Sequence, residues 1–217
     1  MCQKNNKMIY SMVKRIFLTM MMAAATCLAF ASCTSDPSDE PGRQEEETPS
    51  EPVTPPDGQK VLVAYYSHTG NTRQIAGYIH EAIESDLFAI EVVNPYPEDY
   101  DEHLEQARRE VAEGYLPPLS TQVEDMAQYD IVFVGYPIWV NTAAPPIASF
   151  LSNYDLSGKT VIPFCTSGTS SAEASYQLVR RLCPDSDVKE GIQIRRGTYD
   201  TAHERVLDWL RGLGMIQ

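Results

Sequence analysis

Basic residues are scarce in this chain. Its 217 residues include 17 Lys and Arg against 30 Asp and Glu, which gives a formal net charge of −13 and a pI near 4.7. Of the three segments 1–32, 33–59 and 60–217, only the first has a positive balance. Because nucleic-acid binding relies on cationic side chains that neutralise phosphates, the charge balance argues against a nucleic-acid partner.

Cysteine and histidine are also few. Of the five cysteines, Cys2 and Cys27 precede the region that can fold, and the predicted positions of Cys165 and Cys183 are too far apart for a disulfide. Cys165 lacks the Arg six residues later that a cysteine phosphatase needs, because residue 171 is Ser, so we predict a half-buried structural thiol. No histidine pair has a metal-ligand spacing, so we predict no metal site. The histidines are His68, His80, His103 and His203.

The only long apolar run lies at residues 16–31. It follows Lys14-Arg15 and ends in small residues, as in a secretory signal peptide, which we place at 1–32. A retained transmembrane helix is the alternative, but it needs about 20 apolar residues, and this run is shorter, contains two threonines and lacks a basic stop-transfer cluster.

The run ends in Phe30-Ala31-Ser32-Cys33, which resembles the lipobox of bacterial lipoproteins. The resemblance implies that Cys33 carries a diacylglyceryl group, becomes the mature N-terminus and anchors an exported protein to the cell envelope, on its periplasmic face or at the cell surface. The membrane contact would be through this lipid only. Ordinary signal-peptidase cleavage at Ala29-Phe30-Ala31 is the competing interpretation.

Residues 33–59 form the second predicted segment, the lipidated Cys33 followed by a tether. Residues 34–59 contain six prolines and no large apolar residue except Val53. Since such a composition cannot bury a core, we predict disorder.

From Lys60 onward, strand and helix patterns alternate, which predicts an α/β domain over 60–217 with a parallel sheet. Strands are predicted at 61–66, 87–93, 131–135, 160–165 and 188–194. Helices are predicted at 72–84, 101–113, 146–154, 171–182 and 201–213.

The loop at 67–72, between the first strand and the first helix, carries three hydroxyls and a glycine at a helix N-terminus, where free N–H groups attract anions. It contains no Lys or Arg, unlike a Walker loop, so a monophosphate ester suits it better than a triphosphate. The alternative is that Thr69 or Asn71 merely caps the helix.

At this loop the chain resembles the flavodoxin-like family, whose pattern Ser/Thr-x-Thr-Gly-x-Thr is matched by Ser67, Thr69, Gly70 and Thr72. Residues 135–139 and 163–168 resemble the second and third flavin loops of its bacterial flavodoxin and quinone-reductase-like branch. The resemblance implies a doubly wound five-stranded parallel sheet of order 2-1-3-4-5, with helices on both faces and FMN as cofactor. In such a sheet the ligand crevice lies outside the carboxyl ends of strands one and three.

The resemblance also implies a set of FMN-binding residues. The phosphate loop comprises Ser67, His68, Thr69, Gly70, Asn71 and Thr72. Pro137, Ile138 and Trp139 would form an apolar wall, with Trp139 either stacked on the ring or only covering the core. Thr166, Ser167 and Gly168 would offer donors near the pyrimidine edge. No catalytic side chain is predicted. Val140 and residues 169–173 depart from the branch's pattern, which leaves the ring contacts less defined than the phosphate site.

The predicted second helix is strongly charged, and we expect a solvated face at Glu102, Glu105, Glu110 and Glu113. Three tyrosines flank this helix and either line the flavin mouth or pack on the sheet edge. They are Tyr96, Tyr100 and Tyr115. His68 is expected to be a solvated loop residue or a contact of phosphate or substrate.

Two functions of different classes follow from the resemblance. One is an oxidoreductase that passes electrons from an unknown donor to a small acceptor such as a quinone; small residues at 142–144 and 169–172 favour an accessible ring face. The other is a one-electron carrier that docks a redox protein partner through its acidic surface. A flavin-free binding domain is a third, weaker interpretation.

We predict that Cys33→Ser blocks lipidation, because the thiol is the attachment point. The precursor should stay unprocessed and should incorporate no palmitate analogue in cells. Cys27→Ser, inside the signal peptide, is the matched control and should label normally. Undiminished labelling of Cys33→Ser would refute the lipoprotein assignment.

Overall fold

The computed structural model describes Pro55 and residues 58–217. The predicted signal peptide, Cys33 and nearly all of the tether lie outside these residues, so their predictions stay open. Within the described part of the chain, no helix combines the length and apolarity needed to cross a membrane.

The domain alternates strands and helices, as predicted. The strands are β1 Val61–Tyr65, β2 Asp86–Ala89, β3 Ile131–Trp139, β4 Thr142–Ala143, β5 Thr160–Ser167, β6 Asp187–Val188 and β7 Ile192–Arg195. The helices are α1 Asn71–Ala82, α2 Tyr100–Glu113, α3 Pro145–Asn153, α4 Glu173–Leu182 and α5 Ala202–Gly212. Short 3-10 turns lie at Met126–Gln128 and Tyr199–Thr201.

The sheet has the order β2-β1-β3-β5-β6, with β7 also paired to β5 and β4 antiparallel to β3. The other pairings are parallel. This confirms the predicted doubly wound sheet, because the predicted strand four is β5 and the predicted strand five is β6 together with β7. The winding reverses between β1 and β3, where such sheets form their ligand crevice.

The central strands are buried on both faces, which explains their unbroken apolar sequences. Leu62 and Ala64 contribute to one core cluster, which also includes side chains of α2, α3 and α4. Val61 and Val63 contribute to the other cluster, with side chains of α1 and α5. The predicted helices on both faces are therefore confirmed.

Strand β2 is shorter than predicted. It ends at Ala89, and the following segment turns to a new partner: Val93 N–H donates to the Pro118 carbonyl at 2.9 Å, and Ser120 N–H to the Glu91 carbonyl at 2.8 Å. The apolar run at 87–93 therefore has two partners. Residues 87–89 pair with β1 and residues 91–93 with the segment 118–120, a change that the sequence pattern does not predict.

The last strand is interrupted between β6 and β7. Lys189 N–H donates to Val161 O, so alternate residues of β5, including Pro163, turn their backbone toward this edge. Proline has no N–H to offer the neighbouring strand. Gly191 fits closely here, since a Cβ on it would lie 2.5 Å from Pro163 O and 2.7 Å from a ring carbon of Tyr176.

Strand β3 is longer than predicted and carries Pro137, Ile138 and Trp139 as strand residues, not loop residues. It turns back into β4 through Val140 and Asn141, whose φ angles are 48° and 64°. A two-residue hairpin with a type I′ turn needs positive φ at both central positions, and a β-branched residue adopts it only with strain.

Gly135 tests the packing at the centre of the sheet. A Cβ there would lie 2.1 Å from the ring of buried Phe164, so Gly135→Ala should lower the free energy of unfolding by about 1 to 3 kcal/mol. Gly77→Ala, in α1 with no atom within 4 Å of the new Cβ, should raise it by about 0.5 to 1 kcal/mol. Urea unfolding measures both; equal stability of Gly135→Ala and the wild type would contradict this packing.

Candidate functional site

The loop between β1 and α1 has an unusual helix start. Gly70, with φ at 90°, stands before the first helical residue and provides no side-chain cap. Ser67 Oγ instead accepts a hydrogen bond from Arg73 N–H at 3.2 Å, and Asn71 Nδ2 donates to Thr69 Oγ1 at 3.1 Å. Neither Thr69 nor Asn71 caps α1, which removes the alternative explanation for these residues.

The same loop has a concentration of free backbone donors. In the described part of the chain, the N–H groups of residues 67–72 have no protein acceptor. The loop contains no carboxylate, and it lies at the positive end of the α1 dipole. This set of neutral donors suits a phosphate monoester.

Beneath the loop, Thr72 connects it to the end of β5. Thr72 is 1% exposed, and its Oγ1 lies 2.9 Å from Oγ1 of Thr166, which is 3% exposed. Thr166 also forms a hydrogen bond with Tyr199. This bond opposes the rise that burial causes in the pKa of Tyr199. The structure therefore brings Thr72 and Thr166 together as mutual partners, and their predicted contacts to FMN stay predictions.

The other two predicted residues at the end of β5, Ser167 and Gly168, are divided between interior and surface. Ser167 Oγ donates to Ser170 O at 3.2 Å and accepts from Gln193 Nε2 at 2.8 Å. Gly168 is exposed. Of the two, only Gly168 is readily accessible to a ligand in this arrangement, through its backbone.

Trp139 lies at the centre of an aromatic cluster and is 9% exposed. Its ring centroid is 4.2 Å from His103, 4.8 Å from Tyr96, 5.5 Å from Tyr66 and 5.8 Å from His68, each in an edge-on arrangement. Neighbouring rings thus surround the indole, and the predicted contact of Trp139 with the flavin stays a prediction.

The expectation of a solvated glutamate face is wrong at Glu110, which is 7% exposed. Its Oε2 accepts from Tyr96 OH at 2.5 Å and its Oε1 from Gln106 Nε2 at 2.8 Å. Burial, together with the Glu110 contact, raises the pKa of Tyr96, so the phenol stays a donor. Tyr96 thus packs inside, whereas Tyr100 and Tyr115 are 71% and 45% exposed.

His68 is half-buried and stacks on His103, with centroids 4.5 Å apart and an interplanar angle of 21°. His103 Nε2 is buried without a hydrogen-bond partner in the described part of the chain. Burial lowers the pKa of His103, the charge of His68 lowers it further, and Glu110 opposes both. The sequence pattern around His103 bears only on metal binding. Its place beside His68 and Trp139 depends on how α2 packs on the sheet.

Cys165 is fully buried, not half-buried as predicted, and burial raises the pKa of its thiol to about 12. It is therefore unsuited to nucleophilic chemistry. Cys165 and Cys183 are both free thiols. Among the described residues, no group of three His, Cys, Asp or Glu side chains could hold a metal ion.

Comparison with known proteins shows which family has this architecture. The family model described as Flavodoxin matches residues 60–212. A protein of Bacteroides eggerthii assigned as a flavoprotein is 34% identical, with a TM-score of 0.64 over 72% of this chain and 98% of that chain. One from Bacteroides uniformis, assigned likewise, is 30% identical with a TM-score of 0.64 over 70% and 98%.

A third structure is similar to this one at greater distance. It is a flavoprotein of Lactobacillus acidophilus in complex with FMN, 25% identical, with a TM-score of 0.55 over 62% of this chain and 93% of that chain. No curated protein sequence matched the chain.

The lowered pKa of His103 has a consequence for stability. Unfolded histidine binds a proton near pH 6.5 and folded His103 only at lower pH, so acidification through this range should favour unfolding. Between pH 7 and pH 5, the melting temperature of the wild type should fall more than that of His103→Gln. His80→Gln, at an exposed position, should keep the wild-type pH dependence. Parallel curves for the wild type and His103→Gln would show that His103 titrates normally.

Proposed function

Because this chain belongs to the flavodoxin family, we propose that its domain binds FMN and works as an oxidoreductase. The observation that carries the FMN assignment is the loop at 67–72, whose N–H groups lack protein acceptors at the N-terminus of α1. The FMN complex of the Lactobacillus acidophilus flavoprotein supports the choice of ligand. When bound, FMN would supply the electron-transfer chemistry.

In this proposal the phosphate is held by neutral groups. Thr69 is exposed and can donate its hydroxyl while accepting from Asn71. Ser67 positions the first turn of α1 through Arg73 N–H. Thr72 and Thr166 hold the loop against β5 from below.

The ring would lie in the crevice outside β1, β3 and β5. Half-buried Pro137 and Ile138 offer an apolar wall there, and the His68–His103 stack covers Trp139 beside it. We therefore propose that the imidazole of His68 contacts the ligand more directly than Trp139 does. Gly168 would contribute its backbone at the other side.

The phosphate assignment predicts a selective loss of affinity. Thr69→Ala removes a hydrogen bond to a charged group, so FMN should bind about ten- to a hundredfold more weakly by fluorescence titration. Riboflavin, which has no phosphate, should bind the wild type and Thr69→Ala equally. Thr201→Ala, an exposed threonine before α5, should leave FMN binding unchanged.

The comparison of the two ligands is the decisive part of that experiment. Equal affinity of the wild type for riboflavin and FMN would rule out the loop at 67–72 as a phosphate site. If neither ligand bound, the flavin-free binding domain would be the better proposal.

We favour reduction of a small acceptor such as a quinone over one-electron transfer to a protein. The loop at 169–171 is exposed or half-exposed, which leaves room beside the crevice. The small residues Ala143, Ala144 and Ala172 do not contribute to that room, because all three are buried. A carrier function keeps one supporting observation, the excess of 22 acidic over 12 basic residues in 60–217, which suits docking to a basic protein.

Reductive titration distinguishes the two functions. For the oxidoreductase, the oxidised spectrum should convert directly into the fully reduced one, and the reduced protein should be reoxidised rapidly by quinones. Accumulation of a third spectral species, together with no turnover of quinones, would establish the carrier instead.

We also propose that the domain acts outside the cytoplasm, anchored through Cys33. The support for this is the sequence Phe30-Ala31-Ser32-Cys33 after the apolar run, followed by the proline-rich segment up to residue 59.

A further inference from the structure

A second concave site lies at the opposite edge of the sheet from β2, away from the loop at 67–72. It is an open cavity of about 580 Å³ along β7, between α4 and the start of α5. Tyr176 and Ile192 provide apolar surface, and Gln193, Thr198 and two arginines provide polar groups. The arginines are Arg195 and Arg205.

The two arginines are held in place by neutral acceptors around Gln193. Arg205 Nη2 donates to the Gln193 carbonyl at 3.2 Å, and its Nη1 donates to Thr198 Oγ1 at 3.1 Å. Arg195 Nη2 donates to Gln193 Oε1 at 3.3 Å. Neither guanidinium forms an ion pair with a carboxylate within the described residues. Each guanidinium has five N–H donors, and most of them are therefore available to a ligand.

Addition of a peptide strand along β7 is a poor alternative for this cavity. The Gln193 carbonyl is occupied by Arg205, and the Arg195 carbonyl accepts from Thr198 N–H at 3.0 Å and Thr198 Oγ1 at 2.8 Å. With these acceptors used, an incoming strand lacks its usual partners. The groups left for recognition are the guanidinium donors.

The two arginines lie in a domain that is acidic overall. The domain has 22 acidic and only 12 basic residues, yet this cavity has two arginines and no acidic residue in its lining. Glu190 is close enough to Tyr176 to act on it electrostatically, but it pairs with neither arginine. Capping of the sheet edge accounts for Arg205, whereas the exposed Arg195 has no comparable structural role.

We propose that this cavity binds a small organic anion through a phosphate or carboxylate group. Arg195 and Arg205 would hold the oxyanion by charge-assisted hydrogen bonds. Tyr176 and Ile192 would pack against the apolar body of the ligand. This site is separate from the FMN site and does not depend on it.

The cavity is nevertheless connected to the loop after β5. Gln193 Nε2 donates to Ser167 Oγ at 2.8 Å and to Ser170 O at 2.6 Å, while its backbone and Oε1 hold the arginines. A ligand that fixes Gln193 would also restrain residues 167–170. The site is thus placed to influence the loop that follows β5.

Calorimetric titration of the full-length protein with inorganic phosphate and, separately, with citrate tests the proposal at constant ionic strength. Arg195→Gln should weaken the binding of whichever anion the wild type binds by about ten- to a hundredfold. Arg196→Gln is the matched control, because its exposed side chain is next in sequence but outside the cavity lining. It should bind like the wild type.

Dependence on Arg195 separates this site from the loop at 67–72, where phosphate could also bind. Arg205→Lys, which keeps the charge but loses the planar fork, should weaken binding less than Arg205→Gln. Preference for phosphate or for citrate identifies the headgroup class. No binding by the wild type, binding insensitive to Arg195→Gln, or an equal loss in Arg196→Gln would overturn the proposal.

Discussion

The parallel register of β1, β3 and β5 is the constraint on which the candidate site depends. Tyr65, Gly135 and Phe164 are neighbours across the three strands, so the loops that follow open at one edge. Gly135 permits this register, because the Phe164 ring occupies the space of a side chain there. The buried contact between Thr72 and Thr166 then joins α1 to β5, which holds the loop at 67–72 against the end of the sheet.

The crevice beside β1 and β3 contains several buried polar side chains. Glu110 is buried among donors from Tyr96 and Gln106, and His103 has a buried nitrogen without a partner. Burying such groups costs stability unless each is satisfied. Their concentration around Trp139, together with the strained turn at Val140, is characteristic of a functional site rather than of a core optimised for stability.

The two proposed anion sites of the domain offer different donors. At 67–72 the donors are backbone N–H groups and hydroxyls, which are held in place by the fold. Along β7 the donors are guanidinium groups fixed through one glutamine. Gln193 also contacts Ser167 and Ser170, so the second region adjoins the loop that completes the first.

By itself, the sequence determined the α/β class and the alternation of strands and helices, because unbroken apolar runs and helical periodicity are local features. The order of the central strands followed from the family resemblance of the loop at 67–72, not from any local pattern. Only the tertiary structure decided that Glu110 is buried, that His103 stacks on His68 and that Trp139 is covered. It also decided that Arg195 and Arg205 line the same cavity along β7. These contacts join residues distant in the chain, and their partners depend on how helices pack on the sheet, which local periodicity does not specify.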